Sequence, residues 1–216
     1  MRTRLLSGCV VAGACSLVLA GAAVASKPAK HAFTPAGQAL AKAVSLKAGD
    51  LPAGYVAKPS TSSGDSPSCS FYNPDQSQLT ETGRNDVQFA GPQGLPLVFN
   101  LASVFQSSSQ AKAGYDAVVR PELAKCLAQI ISKGTAKGTS ITVGKSTTQT
   151  LSGVGDKAVA ITLDTTFNQG KNHVPLVLQV VAINKAAIDT VLMTVNLGAA
   201  YPGTAALTGK IASRLP

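Results

Sequence analysis

Hydrophobic and polar positions alternate most regularly in the last third of the chain. "KAVAITLDTTF", "VPLVLQVVAI" and "AIDTVLMTVNL" carry apolar side chains at every second position or in short unbroken runs, with Val, Ile and Thr throughout. Gly, Asn and Lys turns separate them, and "TSITVG" and "TTQTLS" read as two further strands ahead of them. Such segments form strands joined as consecutive hairpins. Upstream, Val87 and Phe89 alternate with Asp86, Gln88 and Ala90. After the loop "GPQGLP", the segment "LPLVFNLASVFQ" puts Leu97, Phe99 and Leu101 on one face and Val98, Asn100, Ala102 and Val104 on the other. A first strand is expected over Tyr55 to Lys58, after the turn cluster "GDLPAGY".

Helical periods occupy four other stretches. Thr34-Pro35 supplies a cap and a first helical position for a helix through "AGQALAKAVSL", stopped by Gly49. Ser107-Ser108-Ser109 caps a second helix through "QAKAGYDAVV". Pro121 breaks that helix and starts a third, Pro121 to Ser132, ended by Gly134. Leu123, Cys126, Leu127 and Ile130 share one side of it, so Cys126 is expected to point inward. "TAALTGKIASRL" closes the chain as an amphipathic helix with Ala206, Ile211 and Leu215 inward. The elements together predict an α+β fold: a single domain whose antiparallel β-sheet meander is flanked by helices.

The N-terminus changes the picture of where this domain resides. Arg2, Arg4, the apolar run from Leu5 and the ending Ala23-Val24-Ala25 have the layout of a secretory signal peptide over residues 1–25. Two other readings stay open: an uncleaved membrane anchor, and a lipoprotein signal on Leu6-Ser7-Gly8-Cys9. Residues 26–34, "SKPAKHAFT", read as a flexible tether ahead of the domain at 35–216. The expected location is extracytoplasmic, secreted or associated with the cell envelope. Without residues 1–25 the chain keeps 17 basic and ten acidic residues, a formal +7 that favours an anionic envelope surface. The basic residues are scattered and lack interleaved aromatics, which argues against a nucleic-acid partner. Cys9 and Cys15 leave with the signal, so Cys69 and Cys126 remain in an oxidising compartment and are expected to form a disulfide. Two buried free thiols and a redox-active pair are the alternatives.

Candidate chemistry is sparse. "GVGDKA" matches a dinucleotide fingerprint letter by letter, but a strand follows it where the fingerprint needs a helix, so it reads as a turn. Gly144-Lys145-Ser146 resembles the end of a phosphate-binding loop without the spacing to Gly138. His31 and His173 lie far apart in sequence, each expected to be solvated, so no metal site or triad is predicted. No serine sits in a Gly-x-Ser-x-Gly elbow. Asp50, Asp65, Asp75 and Asp156 read as turn formers, and Asp116 and Glu122 as solvated helix residues. Neither a catalytic residue nor a cofactor is expected. Tyr72, Tyr115, Arg84 and Arg120 are the candidate ligand contacts, because Tyr and Arg serve recognition well; the alternative for them is core edge and ordinary surface.

The order of these elements, with "DLPAGY", "CSFYNP", "RPELAKCLAQ" and "GVGDKAVAI" as waymarks, resembles actinobacterial exported sensor-like domains over roughly residues 40–215. These include the extracellular domain of mycobacterial PknH-type receptor kinases and related envelope lipoproteins, in which helices flank an antiparallel sheet much as in PsbP-like sandwiches. The resemblance implies a binding or sensing module without assigned catalysis. Its kinase members keep two disulfides where this chain can form one, and no kinase follows here, so direct signalling across the membrane is not implied. The expected function is thus a non-enzymatic extracytoplasmic binding or sensor-like domain. Its groove between sheet and helices would take a lipid, wall fragment or protein ligand, and the chain is expected to be a monomer. The alternatives are an envelope hydrolase assembled from distant segments and a structural surface protein.

Overall fold

The computed structural model describes residues 27–59, 66–133 and 139–216. The signal-peptide reading of residues 1–25, Ser26, Asp65, most of the loop "SSGDSPS" and the stop at Gly134 fall outside the described residues. Within them the fold is the α+β arrangement expected: an eight-stranded sheet with helices on both faces.

The elements in chain order are β1 (Lys30–His31), α1 (Pro35–Val44), a 3-10 turn (Ala48–Asp50), β2 (Val56–Lys58), β3 (Thr80–Ala90), a second 3-10 turn (Pro92–Gly94), β4 (Leu97–Phe105), α2 (Ser108–Val118), α3 (Glu122–Lys133), β5 (Thr139–Thr150), β6 (Lys157–Gln169), β7 (Asn172–Lys185), β8 (Ile188–Leu197) and α4 (Thr204–Ala212). The sheet runs β1-β3-β4-β8-β7-β6-β5, with β2 also on β3. The expected meander is therefore β5 to β8, four strands in consecutive antiparallel hairpins, and β8 joins it to β4. "TSITVG" and "TTQTLS" are one strand, not two. β5 continues through Gly144-Lys145 as a bulge between Val143 and Ser146, since an extra residue can be absorbed without ending the ladder.

Side-chain alternation assigns the two faces. Val98, Ala102, Val104, Val181, Ile183, Ile188 and Leu192 meet Ala41 and Val44 of α1 and Leu207 and Ile211 of α4 in one core cluster. The opposite face, with Ile161, Leu163, Leu178 and Val180, packs against Leu123, Ala124 and Cys126 of α3, and Val159 and Ala182 pack against Tyr115 of α2. Cys126 is fully buried and bonded to Cys69, with Cα atoms 5.7 Å apart, as the cysteine count predicts.

Local signals explain the ends. Thr34 Oγ1 accepts the Gly37 amide at 3.0 Å and Pro35 opens α1; the Ser107 hydroxyl accepts from Gln110 at the start of α2. α1 ends at Val44, short of Gly49, where the extended Ser45 lets the Leu46 amide bond Asn100 Oδ1 at 2.8 Å. In α4 the buried stripe is Thr204, Leu207, Thr208 and Ile211, which leaves Ala206 exposed, contrary to the expectation. The helix is rotated because Thr204 joins a buried network with Thr194 (3.1 Å) and Gln179 (2.8 Å). Along residues 27–34, the stretch read as a tether, the amides of Lys30, Ala32 and Thr34 donate to Leu79, Glu81 and Thr82 carbonyls at 2.8–2.9 Å.

Candidate functional site

Two of the depressions on the described surface differ in how far their polar groups are already hydrogen-bonded. The first, about 380 Å³, lies between α2 and the near ends of β6 and β7, with Ser108, Lys112, Asp156, Lys157 and Asn184 around it. Nearly every charge there is already matched. Asp116 accepts from Lys157 at 2.6 Å and from Lys112 at 3.0 Å, which holds its carboxyl below the usual range. Asp156 accepts the Ala186 amide at 2.9 Å, and Asn184 donates to Asp189 at 2.7 Å. Asp189 itself lies partly buried beneath α2, and its desolvation there raises its pKa to about 7. It does not line the depression; Asn184 stands there instead. This cluster fastens α2 to the hairpin ends and leaves few groups to meet a ligand.

The second depression, about 340 Å³, opens on the face of the sheet that carries α1 and α4, but over β5, β6 and the far end of β7. α1 packs on β3 and β4 and α4 on β7, so among the described residues the outer half of that face stays bare. The residues with side chains on it follow from register. Thr142 of β5 pairs with Thr166 of β6, which pairs with Pro175 of β7; one row on, Asp164 pairs with Val177. Asp164 is exposed and, among the described residues, has no hydrogen-bond or ion-pair partner. Val177, 8% exposed, forms an apolar floor beside it. The β5 bulge puts Gly144 alongside Asp164: a Cβ there would lie 3.4 Å from the Asp164 carbonyl oxygen and 3.9 Å from its Cβ, so the missing side chain keeps the carboxylate open. Asn168 closes the row, donating to Thr142 Oγ1 at 3.1 Å, with its Oδ1 2.6 Å from His173 Nδ1.

The four candidate contacts chosen by residue type lie elsewhere. Tyr72 is 1% exposed, its hydroxyl donating to the Val118 carbonyl, and the Arg120 guanidinium covers its ring at 4.8 Å, so these two do meet. Tyr115 is buried near Asp189, with its pKa pushed up to about 12 by burial and then by that carboxylate. Arg84 pairs at 3.3 Å with Glu81, a buried carboxylate that also lies 3.2 Å from His31 Nε2. His31 is half-exposed and stacks on Phe33. Residue type alone missed Asp164 and its threonines. A signal for them existed: one phase of β6 reads Val159, Ile161, Leu163, Thr165, Phe167, and the other reads Ala158, Ala160, Thr162, Asp164, Thr166, turning polar towards its far end.

No known protein family matches the chain, and no curated protein matches it. Among solved structures it is similar to the crystal structure of the extracellular domain of PknH from Mycobacterium tuberculosis, with 13% identity and a TM-score of 0.38. The match covers 62% of this chain and 64% of that one, under two thirds of its length. The class defined by fold and site is thus a disulfide-linked α+β domain with a half-bare sheet face.

Proposed function

We propose that this chain is a non-enzymatic, extracytoplasmic binding or sensor-like domain of the cell envelope, acting as a monomer and holding a lipid, wall fragment or protein ligand on the bare outer half of its sheet. The observation that carries the reading is the contrast between two of its depressions: charges around α2 are matched within the protein, whereas among the described residues Asp164 stands open above an apolar floor. The buried Cys69–Cys126 disulfide supports an oxidising compartment. Among the described residues no helix is long and apolar enough to cross a membrane, and none of the described His, Cys, Asp and Glu residues cluster as metal ligands.

A hydrolase draws support from one observation, the partly buried Asp189 with its raised pKa. Its position behind Asn184 separates it from any molecule in the α2 depression, which weighs against that reading. Native mass spectrometry of protein purified from its own envelope tests the proposal. A disulfide-intact protein carrying a co-purified, non-covalent ligand is the expected result. Bare protein in repeated preparations, together with turnover of envelope esters or glycans, would overturn it.

A further inference from the structure

The bare face has a chemistry of its own. Its fixed charge is a single carboxylate, Asp164, and around it stand the hydroxyls of Thr142 and Thr166, with the Val177 side chain and the exposed Pro175 ring as the apolar part. A carboxylate accepts hydrogen bonds only, through two oxygens, so it selects a ligand that presents donors close together. Threonine hydroxyls can donate or accept, so they tolerate either partner. The apolar surface is small, the exposed Pro175 ring beside a Val177 that is 8% exposed, too little to bury an acyl chain but enough to meet the C–H face of one sugar ring. An extended peptide added to the outer edge of β5 would meet the bulge at Gly144-Lys145 and the Lys145 side chain, both devices that discourage edge pairing. An anionic headgroup or polymer would face Asp164 directly, and like charges repel.

Resting on the binding reading above, we infer that the depression between β5 and β7 takes a neutral glycan, with Asp164 accepting adjacent ring hydroxyls, Thr142 and Thr166 completing their hydrogen bonds, and the sugar's apolar face lying on Val177 and Pro175. The bulge is what makes room: with Gly144 in the extra position, no side chain of the described residues of β5 stands beside the carboxylate there. The volume of about 340 Å³ lies at the small end of the range for ligand sites, which fits one or two sugar rings of a longer chain. Although the chain as a whole is positive, Asp164 is the one charged residue among those lining the depression.

The test is a titration of the disulfide-intact, ¹⁵N-labelled protein with cellotetraose, mannotetraose and chitotetraose, followed by amide chemical shifts. Parallel arms use anionic phospholipid vesicles and a lysine-rich peptide. At least one neutral tetrasaccharide is expected to shift Thr142, Gly144, Asp164, Val177 and Gly198 and to leave α2 unmoved. Asp164→Asn should weaken binding by about tenfold or more, the loss of one charge-assisted hydrogen bond. Gly144→Val, which fills the space beside the carboxylate without touching it chemically, should do the same. Both sites are exposed, and an unchanged spectrum away from the face confirms that each variant is folded. The inference is overturned if no tetrasaccharide binds, if the shifts fall around α2, if both variants bind as the parent does, or if vesicles or peptide occupy the face instead. A ligand of another class on envelope-purified protein would leave the binding reading standing and remove only this one, whereas protein that comes out bare in repeated preparations and turns over envelope esters or glycans would remove the reading beneath it.

Discussion

Asp189 shows how one residue can carry a stability cost that its sequence context conceals. In "AAIDTVLMT" it reads as a polar position opening a strand, yet α2 lies directly over it, and a Cβ added at Gly114 would lie 3.5 Å from its Oδ2. Asn184 supplies a hydrogen bond, Tyr115 packs near it, and Asp116 adds a like charge. With the carboxyl raised from 3.8 to about 7, the unfolded chain loses this proton near pH 4 while the folded chain keeps it. Stability therefore falls as pH rises between those two values, and the full penalty, about 4 kcal/mol, applies above pH 7. Asp189→Asn keeps the shape and the acceptor for Asn184 without the charge. Chemical denaturation should find that variant more stable than the parent at pH 8 and nearly equal at pH 4. A parallel shift at both pH values would place the effect in packing, not ionisation. Burial of this kind is not legible in sequence because it depends on where a helix lands, and the same holds for Tyr72 and Tyr115, for which residue type left ligand contact and core edge both open and which packing put inside.

At the scale of elements, what the sequence shows best is what depends on neighbours along the chain. Strands β6, β7 and β8 appear in the alternation itself, and the starts of α1 and α2 in their capping residues. Contacts between elements are less visible. α1 crosses β3 at Gly37 and Gly83, where the backbones touch: a Cβ on Gly37 would sit 2.3 Å from the Thr82 carbonyl oxygen, and one on Gly83 only 2.0 Å from the Gly37 oxygen. Neither glycine stands out in "PAGQALAKAV" or "TETGRNDV", because close approach leaves no periodic trace. Gly37→Ala and Gly83→Ala should each cost about 3 kcal/mol by forcing α1 away from the sheet. The double variant should cost clearly less than their sum, since the first substitution opens the gap that the second would fill. Gly209→Ala, with nothing within 4 Å in α4, is the control and should be neutral or stabilising. Urea midpoints of the four proteins decide it; strict additivity would mean that the two sites relax independently. The bare half-face belongs to the same class of hidden fact, since Asp164 stays exposed only because α1 and α4 stop short of it.

Across the whole molecule, the sheet has two halves of different origin. β5 to β8 pair with sequence neighbours, whereas β4 reaches β8 from some ninety residues away, with Leu97 opposite Val195. The N-terminal half, β1 to β4 with α1, thus joins the meander through one strand pairing and through α4, whose neighbour Arg214 forms a two-pronged pair with Asp50 at 2.6 and 2.8 Å. The disulfide adds a third tie. It closes a loop of 57 residues holding β3, β4 and α2, and anchors the segment before β3 to the buried face of α3 on the meander side. Its chief effect is to limit the unfolded chain, worth roughly 4 kcal/mol for a loop of that length. Alanine at both Cys69 and Cys126 should lower stability by about that amount, with little further loss from burial because two small apolar groups remain. The same reasoning fixes a second observable: a chain freed of its cross-link expands more on unfolding, so the urea m-value should rise in the variant while the folded-state spectrum stays put. A stability loss with an unchanged m-value would locate the bond's contribution in the native packing between Cys126 and Tyr72, and the two halves would then be held together by contacts alone.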